Sequence, residues 1–282
     1  MKPAPFAYAK ARSVEDAVRL LGEHGDGAKL LAGGQSLMAT LNMRLSQPSI
    51  LIDLNGIPGL DGIVLHDGDV AIGALVRHAA AAKSNVITRH APLIALAMPH
   101  IGHPAIRNRG TIGGSIAFAD PAAELPACFL ALAGEAEIAG PNGTRRVKAD
   151  DFFKALYETA IGPDEMLTAI RLPADTPDRR YGFSELSRRH GDYALAGLAA
   201  AARANGAGLK DVRLAYFGVG LVPVRARGAE TALAAGDIDA AVKALATDLD
   251  PPDDIQESGA VKMHLASVLL RRVAAQLTGA RA

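Results

Sequence analysis

The sequence is poor in cysteine and aromatic residues and has no excess of charge of either sign. Its 282 residues include one cysteine, Cys128, and no tryptophan. One cysteine excludes an intrachain disulfide and any iron–sulfur cluster ligated by cysteines of this chain alone. The formal net charge of zero leaves no broad basic surface for nucleic acid or an anionic membrane.

Long apolar runs are also missing. No run reaches the roughly 20 residues of a membrane-spanning helix, and the stretch MKPAPFAYAKARS lacks the apolar centre of a signal peptide. The histidines are scattered, without the paired helical spacing of a zinc site. We therefore expect a cytoplasmic protein with no metal site, no nucleic-acid partner and no membrane span, with a core built from Leu, Ile, Val and Ala.

The hydrophobic pattern predicts a mixture of helices and strands. Ser13 precedes a helix with one apolar face, and Asp16 occupies its capping-box position. Hairpins are predicted around Asp67-Gly68 and around Pro141-Asn142-Gly143. The other predicted elements are strands at 28–32, 49–55 and 165–173, and two helices between residues 76 and 102 that break at Pro92 and end near Pro99.

A polar, proline-containing stretch at residues 174–180 is the predicted domain boundary. After it we expect antiparallel strands at 181–187, 193–203 and 210–220, and a helix at 253–277 with basic residues near its end. Because strands and helices do not alternate regularly, the sequence predicts an α+β protein. The expected domains are residues 1–176, divided into subdomains of about 1–55 and about 56–176, and residues 177–282.

The most informative motifs are two glycine pairs, each followed within two residues by serine. They lie in LLAGGQSLMATLNMRL (30–45) and NRGTIGGSIAFADPAAELPA (108–127). Neither has the Lys-Ser/Thr of a Walker-type loop or the G-x-G-x-x-G of a Rossmann fold. Glycine lets backbone N–H groups approach an oxyanion, so two such segments together can hold a pyrophosphate. The alternative is a tight turn at each pair, and the residues alone do not decide between the two.

The sequence closely resembles the FAD-binding medium subunit of molybdenum hydroxylases, the carbon monoxide dehydrogenase and xanthine dehydrogenase family. The resemblance is carried by AGGQSLMATLNMRLSQPSILIDLNGIPGL and HPAIRNRGTIGGSIAFADPAAELP, and it continues through RRHGDYALAGLAAAA, AYFGVGLVPVRA and HLASVLLRR. It implies a two-part FAD-binding domain (PCMH-type, vanillyl-alcohol-oxidase-like) and a smaller α+β C-terminal domain with an antiparallel sheet and helices. Gln35 replaces a histidine frequent in the carbon monoxide dehydrogenase branch, which makes that substrate less expected.

The resemblance also implies which residues bind non-covalent FAD. Both glycine segments are expected to hold the pyrophosphate by backbone N–H groups, Glu124 to contact the ribose, and Tyr193 to cover the isoalloxazine ring. Ile101 is expected on the adenine and Leu167 on the cofactor's edge, with ordinary core packing as the alternative. The full expected set is Ala32, Gly33, Gly34, Gln35, Ser36, Leu37, Ile101, Thr111, Gly113, Gly114, Ser115, Glu124, Leu167, Asp192 and Tyr193.

Other polar residues near these segments are expected to be structural. Asp120 precedes Pro121, a pattern typical of an N-cap with proline at the first helical position. Arg107 and Arg109 are expected to be solvated or paired, and His100 and His103 to be structural. No catalytic side chain is expected, because a flavin performs the chemistry itself.

The resemblance implies an electron-transfer subunit of a heterotrimeric molybdenum hydroxylase. A large subunit would carry the molybdenum cofactor with its molybdopterin, and a small subunit the two-iron two-sulfur clusters. FAD on this chain would pass electrons to an external acceptor such as NAD, a quinone or oxygen. The alternatives are a self-sufficient FAD-dependent oxidoreductase and a cofactor-free binding module that has kept the fold.

Overall fold

The computed structural model describes residues 2–279, which form helices and four β-sheets. The helices are α1 (Val14–His24), α2 (Leu37–Asn42), α3 (His78–Ala81), α4 (Asn85–His90), α5 (Pro92–Ala97), α6 (Pro104–Arg107), α7 (Ile112–Phe118), α8 (Glu124–Ala131), α9 (Ala149–Phe152), α10 (Arg227–Ala234), α11 (Ile238–Asp248) and α12 (Gly259–Thr278). The strands are β1 (Ala7–Lys10), β2 (Ala28–Leu31), β3 (Ile50–Asp53), β4 (Ile63–His66), β5 (Asp69–Gly73), β6 (Glu135–Gly140), β7 (Gly143–Lys148), β8 (Phe153–Ala155), β9 (Glu158–Thr159), β10 (Met166–Pro173), β11 (Arg179–Ser187), β12 (Ala194–Asn205), β13 (Gly208–Phe217) and β14 (Val224–Arg225).

The N-terminal sheet is parallel, with the strand order β1-β3-β2, and α1 packs against it. Ser13 caps α1 and accepts a hydrogen bond from the Asp16 N–H at 3.1 Å, as predicted. In a complete capping box the Asp16 carboxylate would accept a hydrogen bond from the Ser13 N–H. Here it accepts one from the Arg12 N–H, so only half of the capping box forms. The carboxyl ends of the three strands meet at one edge, where ligands of parallel sheets commonly bind.

The second sheet is antiparallel, with the order β4-β5-β10-β6-β7, and it contains both predicted hairpins. Asp67 and Gly68 have φ values of 50° and 82°, the left-handed backbone that a two-residue hairpin turn requires. Pro92 begins α5, but residues 76–102 hold three helices before α6 where two were predicted. The extra break arises because Ser84 starts a new helix by capping the Ile87 N–H at 3.3 Å.

The third sheet, β11-β12-β13-β14, is antiparallel as predicted and is covered by α10 and α12, against which α11 packs. The sequence analysis missed α10 and α11. Helix α12 begins at Gly259, after an N-cap at Ser258, and residues 253–257 form a loop closed by Asp254. The last turn of α12 holds no basic residue, so the predicted interaction with the helix dipole is wrong.

Strand β12 joins the two main hydrophobic cores. Its alternate residues Ala199 and Ala201 belong to the core around α5 and α8, whereas Leu198 and Ala200 belong to the core beneath α12. Small side chains on both faces let helices pack closely from either side, which explains the alanine-rich sequence. The α+β prediction is confirmed. Among the helices of residues 2–279, none combines the length and the apolar character required to cross a bilayer.

Candidate functional site

The first glycine segment connects β2 to α2 at the carboxyl edge of the parallel sheet. Gly33 is buried, and Gly34 has a φ of 72°, a conformation that favours glycine. The side chain of Gln35 donates a hydrogen bond to the Gly33 carbonyl at 3.2 Å. Within residues 2–279, no protein acceptor receives a hydrogen bond from the backbone N–H groups of residues 33–36. This segment therefore presents a row of donors with no protein partner.

The second glycine segment is organised differently from the sequence-based prediction. Gly113 and Gly114 lie in the first turn of α7, because Thr111 caps that helix and accepts from the Gly114 N–H at 3.0 Å. The Gly113 N–H donates to the Ala74 carbonyl at 3.0 Å, and the Ser115 N–H to the Thr111 carbonyl at 3.1 Å. The N–H groups of Gly113, Gly114 and Ser115 are therefore engaged within the protein, whereas the hydroxyl groups of Thr111 and Ser115 can still donate.

The two glycine segments lie against each other. A Cβ atom at Gly33 would be 2.3 Å from the Arg109 carbonyl oxygen and 2.8 Å from the Gly110 Cα. At Gly114, a Cβ atom would lie 3.9 Å from the Cβ of Ala32. The sequence separates these segments by about eighty residues, and the fold brings them into contact through a gap that only glycine fits.

Two residues that the sequence analysis did not single out connect these segments. The Asn55 side chain donates to the Ala32 carbonyl at 2.8 Å. The Arg77 guanidinium donates to the Asn55 side-chain oxygen and to the Arg109 carbonyl. The detectable signal for Asn55 was its position just after a strand of the parallel sheet; Arg77 had no distinguishing local pattern.

Glu124 is the first residue of α8 and lies in a group of ionisable side chains contributed by distant segments. The His100 Nδ1 is 3.3 Å from a Glu185 carboxylate oxygen, and the hydrogen bond to Glu185 raises the pKa of His100. The other Glu185 oxygen is buried without a hydrogen-bond partner in the described chain. Burial raises the pKa of Glu124 to about 7, and the nearby carboxyl groups of Glu185 and Asp120 add to that rise.

The raised Glu124 pKa predicts a pH-dependent stability of the FAD-free protein. Because the folded-state pKa of about 7 exceeds the usual value of 4.5, folding binds a proton at intermediate pH. The free energy of unfolding should therefore fall as the pH rises through this interval, by at most about 3 kcal/mol. Urea unfolding between about pH 5 and pH 8 measures this fall in the free energy of unfolding. Glu124→Gln should flatten the pH dependence, whereas Glu158→Gln, at an exposed position, should retain it; an unchanged slope in Glu124→Gln contradicts the assignment.

Asp120 does not cap α8, contrary to the prediction. Its carboxylate accepts from the Ala122 N–H at 2.9 Å, and its carbonyl accepts from the Ala123 N–H at 3.0 Å. These bonds close a turn, so α8 begins at Glu124 with Ala123 as its N-cap. The competing local turn is the reason that the Asp-Pro pattern was misleading.

Ile101 lies beside the loop that carries Tyr193. The Gly102 carbonyl oxygen is only 2.9 Å from where a Cβ atom at Gly191 would be. The Arg107 side chain donates to the carbonyl groups of Ile101 and Gly102, at 2.9 and 2.7 Å, so it fastens this contact. The structure therefore brings Gly102, the neighbour of Ile101, to the 188–193 loop, which precedes the long strand β12.

A cavity of about 370 Å³ opens beside Tyr193. Tyr157, Asp120 and Leu221 also line it, and Tyr193 itself is 56% exposed. Lys262 reaches the same cavity, but it is paired with the Asp254 carboxylate at 2.6 Å. Asp192 is exposed next to Tyr193, and its carboxylate accepts a hydrogen bond from the Tyr193 N–H at 2.9 Å. Leu167, by contrast, is 5% exposed within the main core.

Two family models together match nearly the whole chain. Residues 4–175 match the model described as the FAD binding domain in molybdopterin dehydrogenase. Residues 181–277 match the CO dehydrogenase flavoprotein C-terminal domain.

Curated proteins and solved structures agree with these matches. The chain is 39% identical to the 6-hydroxypseudooxynicotine dehydrogenase complex subunit alpha of Paenarthrobacter nicotinovorans, over 98% of this chain and 95% of that protein. It is 36% identical to the carbon monoxide dehydrogenase medium chain of Hydrogenophaga pseudoflava, over 96% of each. A solved carbon monoxide dehydrogenase from Hydrogenophaga pseudoflava superposes with a TM-score of 0.96 at 36% identity, covering 99% of both chains. Quinoline 2-oxidoreductase from Pseudomonas putida 86 gives a TM-score of 0.93 at 32% identity, also over 99% of both.

Proposed function

The chain belongs to the FAD-binding medium subunits of the carbon monoxide dehydrogenase and xanthine dehydrogenase family of molybdenum hydroxylases, and on that basis we propose that it is the electron-exit subunit of a heterotrimer. The family assignment makes it an FAD-dependent oxidoreductase subunit with an FAD-binding fold and a C-terminal flavoprotein domain. The observation that carries the proposal is the row of unengaged N–H groups at residues 33–36, in a segment that packs against Arg109 and Gly110 so closely that only glycine fits at position 33.

The residues of the site fit FAD. We propose that the backbone from Ala32 to Leu37 holds the pyrophosphate, because its free N–H groups suit phosphate oxygens. Since the N–H groups of the second segment are engaged, Thr111 and Ser115 would contribute hydroxyl groups, while Gly113 and Gly114 allow the close approach. When bound, FAD supplies electron exchange between iron–sulfur clusters and an external acceptor.

The remaining site residues lie toward the C-terminal sheet. We propose that Glu124 contacts the ribose, Leu167 the cofactor's edge, and Asp192 and Tyr193 the isoalloxazine ring. We propose that Ile101 packs on the adenine; its neighbour Gly102 meets Gly191 of the loop that carries Tyr193. The cavity lined by Tyr157 and Tyr193 would then be the route by which the acceptor approaches the ring.

The proposed partners are a large subunit with the molybdenum cofactor and a small subunit with two-iron two-sulfur clusters. The names of the relatives, a subunit of a dehydrogenase complex and a medium chain, support a multi-subunit assembly. The single cysteine of this chain is buried, which supports placing the clusters on another chain. We also propose domain limits of 1–176 and 177–282, supported by the two matched ranges; the cytoplasmic location stays a prediction.

The isolated chain provides the test of this function. We expect it to take up one FAD per chain and to show only reduced-nicotinamide or dye activity, because the substrate pocket would belong to another subunit. Absorbance spectra after FAD addition and steady-state assays with organic donors measure both properties. Turnover of an organic donor by the isolated chain would favour the self-sufficient oxidoreductase, and failure to take up FAD would favour the binding module.

A further inference from the structure

Hydrogen bonds within the protein fix the orientation of the Asn55 side chain. Its side-chain nitrogen and its backbone N–H both donate to one Asp53 carboxylate oxygen, at 2.6 and 2.9 Å. The same side-chain nitrogen donates to the Ala32 carbonyl at 2.8 Å. Asn55 therefore ties the end of β3 to the first residue of the first glycine segment.

Arg77 is held in place by hydrogen bonds to the second glycine segment. The residues flanking it are bonded to the second segment: the His78 N–H donates to the Gly110 carbonyl at 3.0 Å, and the Ile112 N–H to the Val76 carbonyl at 2.9 Å. The guanidinium donates to Asn55 and to the Arg109 carbonyl. The same Arg109 carbonyl oxygen lies next to Gly33, so one oxygen contacts both Arg77 and the first glycine segment.

The guanidinium of Arg77 has no carboxylate of the described chain in direct contact, although Asp53 is near enough to attract it. Within residues 2–279, no Asp or Glu oxygen lies within 4.0 Å of its guanidinium, whose acceptors are both neutral. Arg77 is half-buried, and burial together with the positive charge of Arg109 lowers its pKa, while Asp53 acts in the opposite direction. A partly desolvated cation with neutral acceptors attracts an anion to its surroundings.

We propose that Asn55 and Arg77 are positioning residues for the pyrophosphate of the cofactor: they hold the two glycine segments at a fixed separation, and Arg77 adds a positive charge beside them that no direct ion pair within the described residues neutralises. This inference rests on the proposed function. It assigns no contact between these side chains and FAD, because each acts through the backbone of Ala32 or Arg109.

The test measures FAD affinity in the full-length chain by flavin fluorescence after removal of bound flavin. We expect Asn55→Ala and Arg77→Lys each to raise the Kd for FAD by about 10-fold to 100-fold, because lysine cannot bridge two acceptors as arginine does. Arg180→Lys is the matched control, because Arg180 also donates to two backbone carbonyls, those of Pro177 and Arg179. Arg180 is far along the sequence from the site, so the Kd of this variant for FAD should stay within twofold of the wild type.

Two further measurements separate positioning from a general loss of structure. The ³¹P resonances of bound FAD should shift in Arg77→Lys but not in Arg180→Lys. Asn55→Asp keeps an oxygen for Arg77 but removes the donor to Ala32 and sets a second carboxylate beside Asp53, so it should bind FAD weakly, and its circular dichroism spectrum should show the wild-type secondary structure. Wild-type affinity and ³¹P shifts in Asn55→Asp and Arg77→Lys would overturn the inference. Absence of FAD uptake by the wild-type chain would instead overturn the proposed function.

Discussion

Gly33→Ala is expected to raise the Kd for FAD by at least about 100-fold, which corresponds to about 2.7 kcal/mol. The added methyl group would lie 2.3 Å from the Arg109 carbonyl oxygen, a separation that side chains do not tolerate. Because the obstacle is backbone, the two glycine segments must separate, and the N–H row at residues 33–36 must move with them. The double variant Gly33→Val/Gly34→Val should abolish FAD retention altogether, since Gly34 also has a φ of 72°.

Gly62→Ala is the matched control for this effect. Gly62 lies in a loop, a Cβ atom there meets nothing within 4 Å, and its backbone is not left-handed. Flavin fluorescence should give it the wild-type Kd. Far-ultraviolet circular dichroism should give the wild-type spectrum for all variants, as expected if the secondary structure, including the C-terminal sheet, is kept. A double variant that still binds FAD normally would show that the glycine segments do not hold the cofactor.

Glu230→Ala is expected to lower the free energy of unfolding by about 3–5 kcal/mol, the usual result of leaving one buried charge unpaired. Glu230 is 7% exposed, and its carboxylate accepts from the Leu214 N–H at 2.8 Å and from the Arg225 guanidinium. The Arg225 side chain is only 9% exposed. Asp150 retains a contact with Arg225 at 3.1 Å, which places the expected loss toward the lower end of the range.

An exposed ion pair in the same part of the chain provides the comparison. Asp239 pairs with Arg271 at 2.7 Å, but their side chains are 82% and 52% exposed. Asp239→Ala should therefore change the free energy of unfolding by less than about 1 kcal/mol. Urea denaturation of both variants at neutral pH measures the difference. Equal losses in the two variants would contradict the role given to burial.

Local sequence patterns were sufficient where one short segment decides its own structure. The helix after Ser13 and the hairpin at Asp67-Gly68 were predicted because an N-cap and a left-handed turn depend on a few adjacent residues. Helix α10 was missed, and its start illustrates why. The N–H groups of Gly228 and Ala229 are capped by Asp248, at the end of another helix, and no local pattern records such a contact.

The sequence by itself determined the family, through two glycine segments whose combination is specific; the cofactor contacts that it indicates stay predictions. It also indicated the α+β class, because apolar periodicity depends on neighbouring residues. The tertiary structure alone decided that the Gly113 N–H is engaged, since its acceptor is the distant Ala74 carbonyl, whereas the cap that Thr111 gives to the Gly114 N–H is local. It also brought Asn55 and Arg77 between the segments. Hydrogen bonds between residues far apart in the chain are set by how the sheets and helices pack, so no short stretch of sequence encodes them.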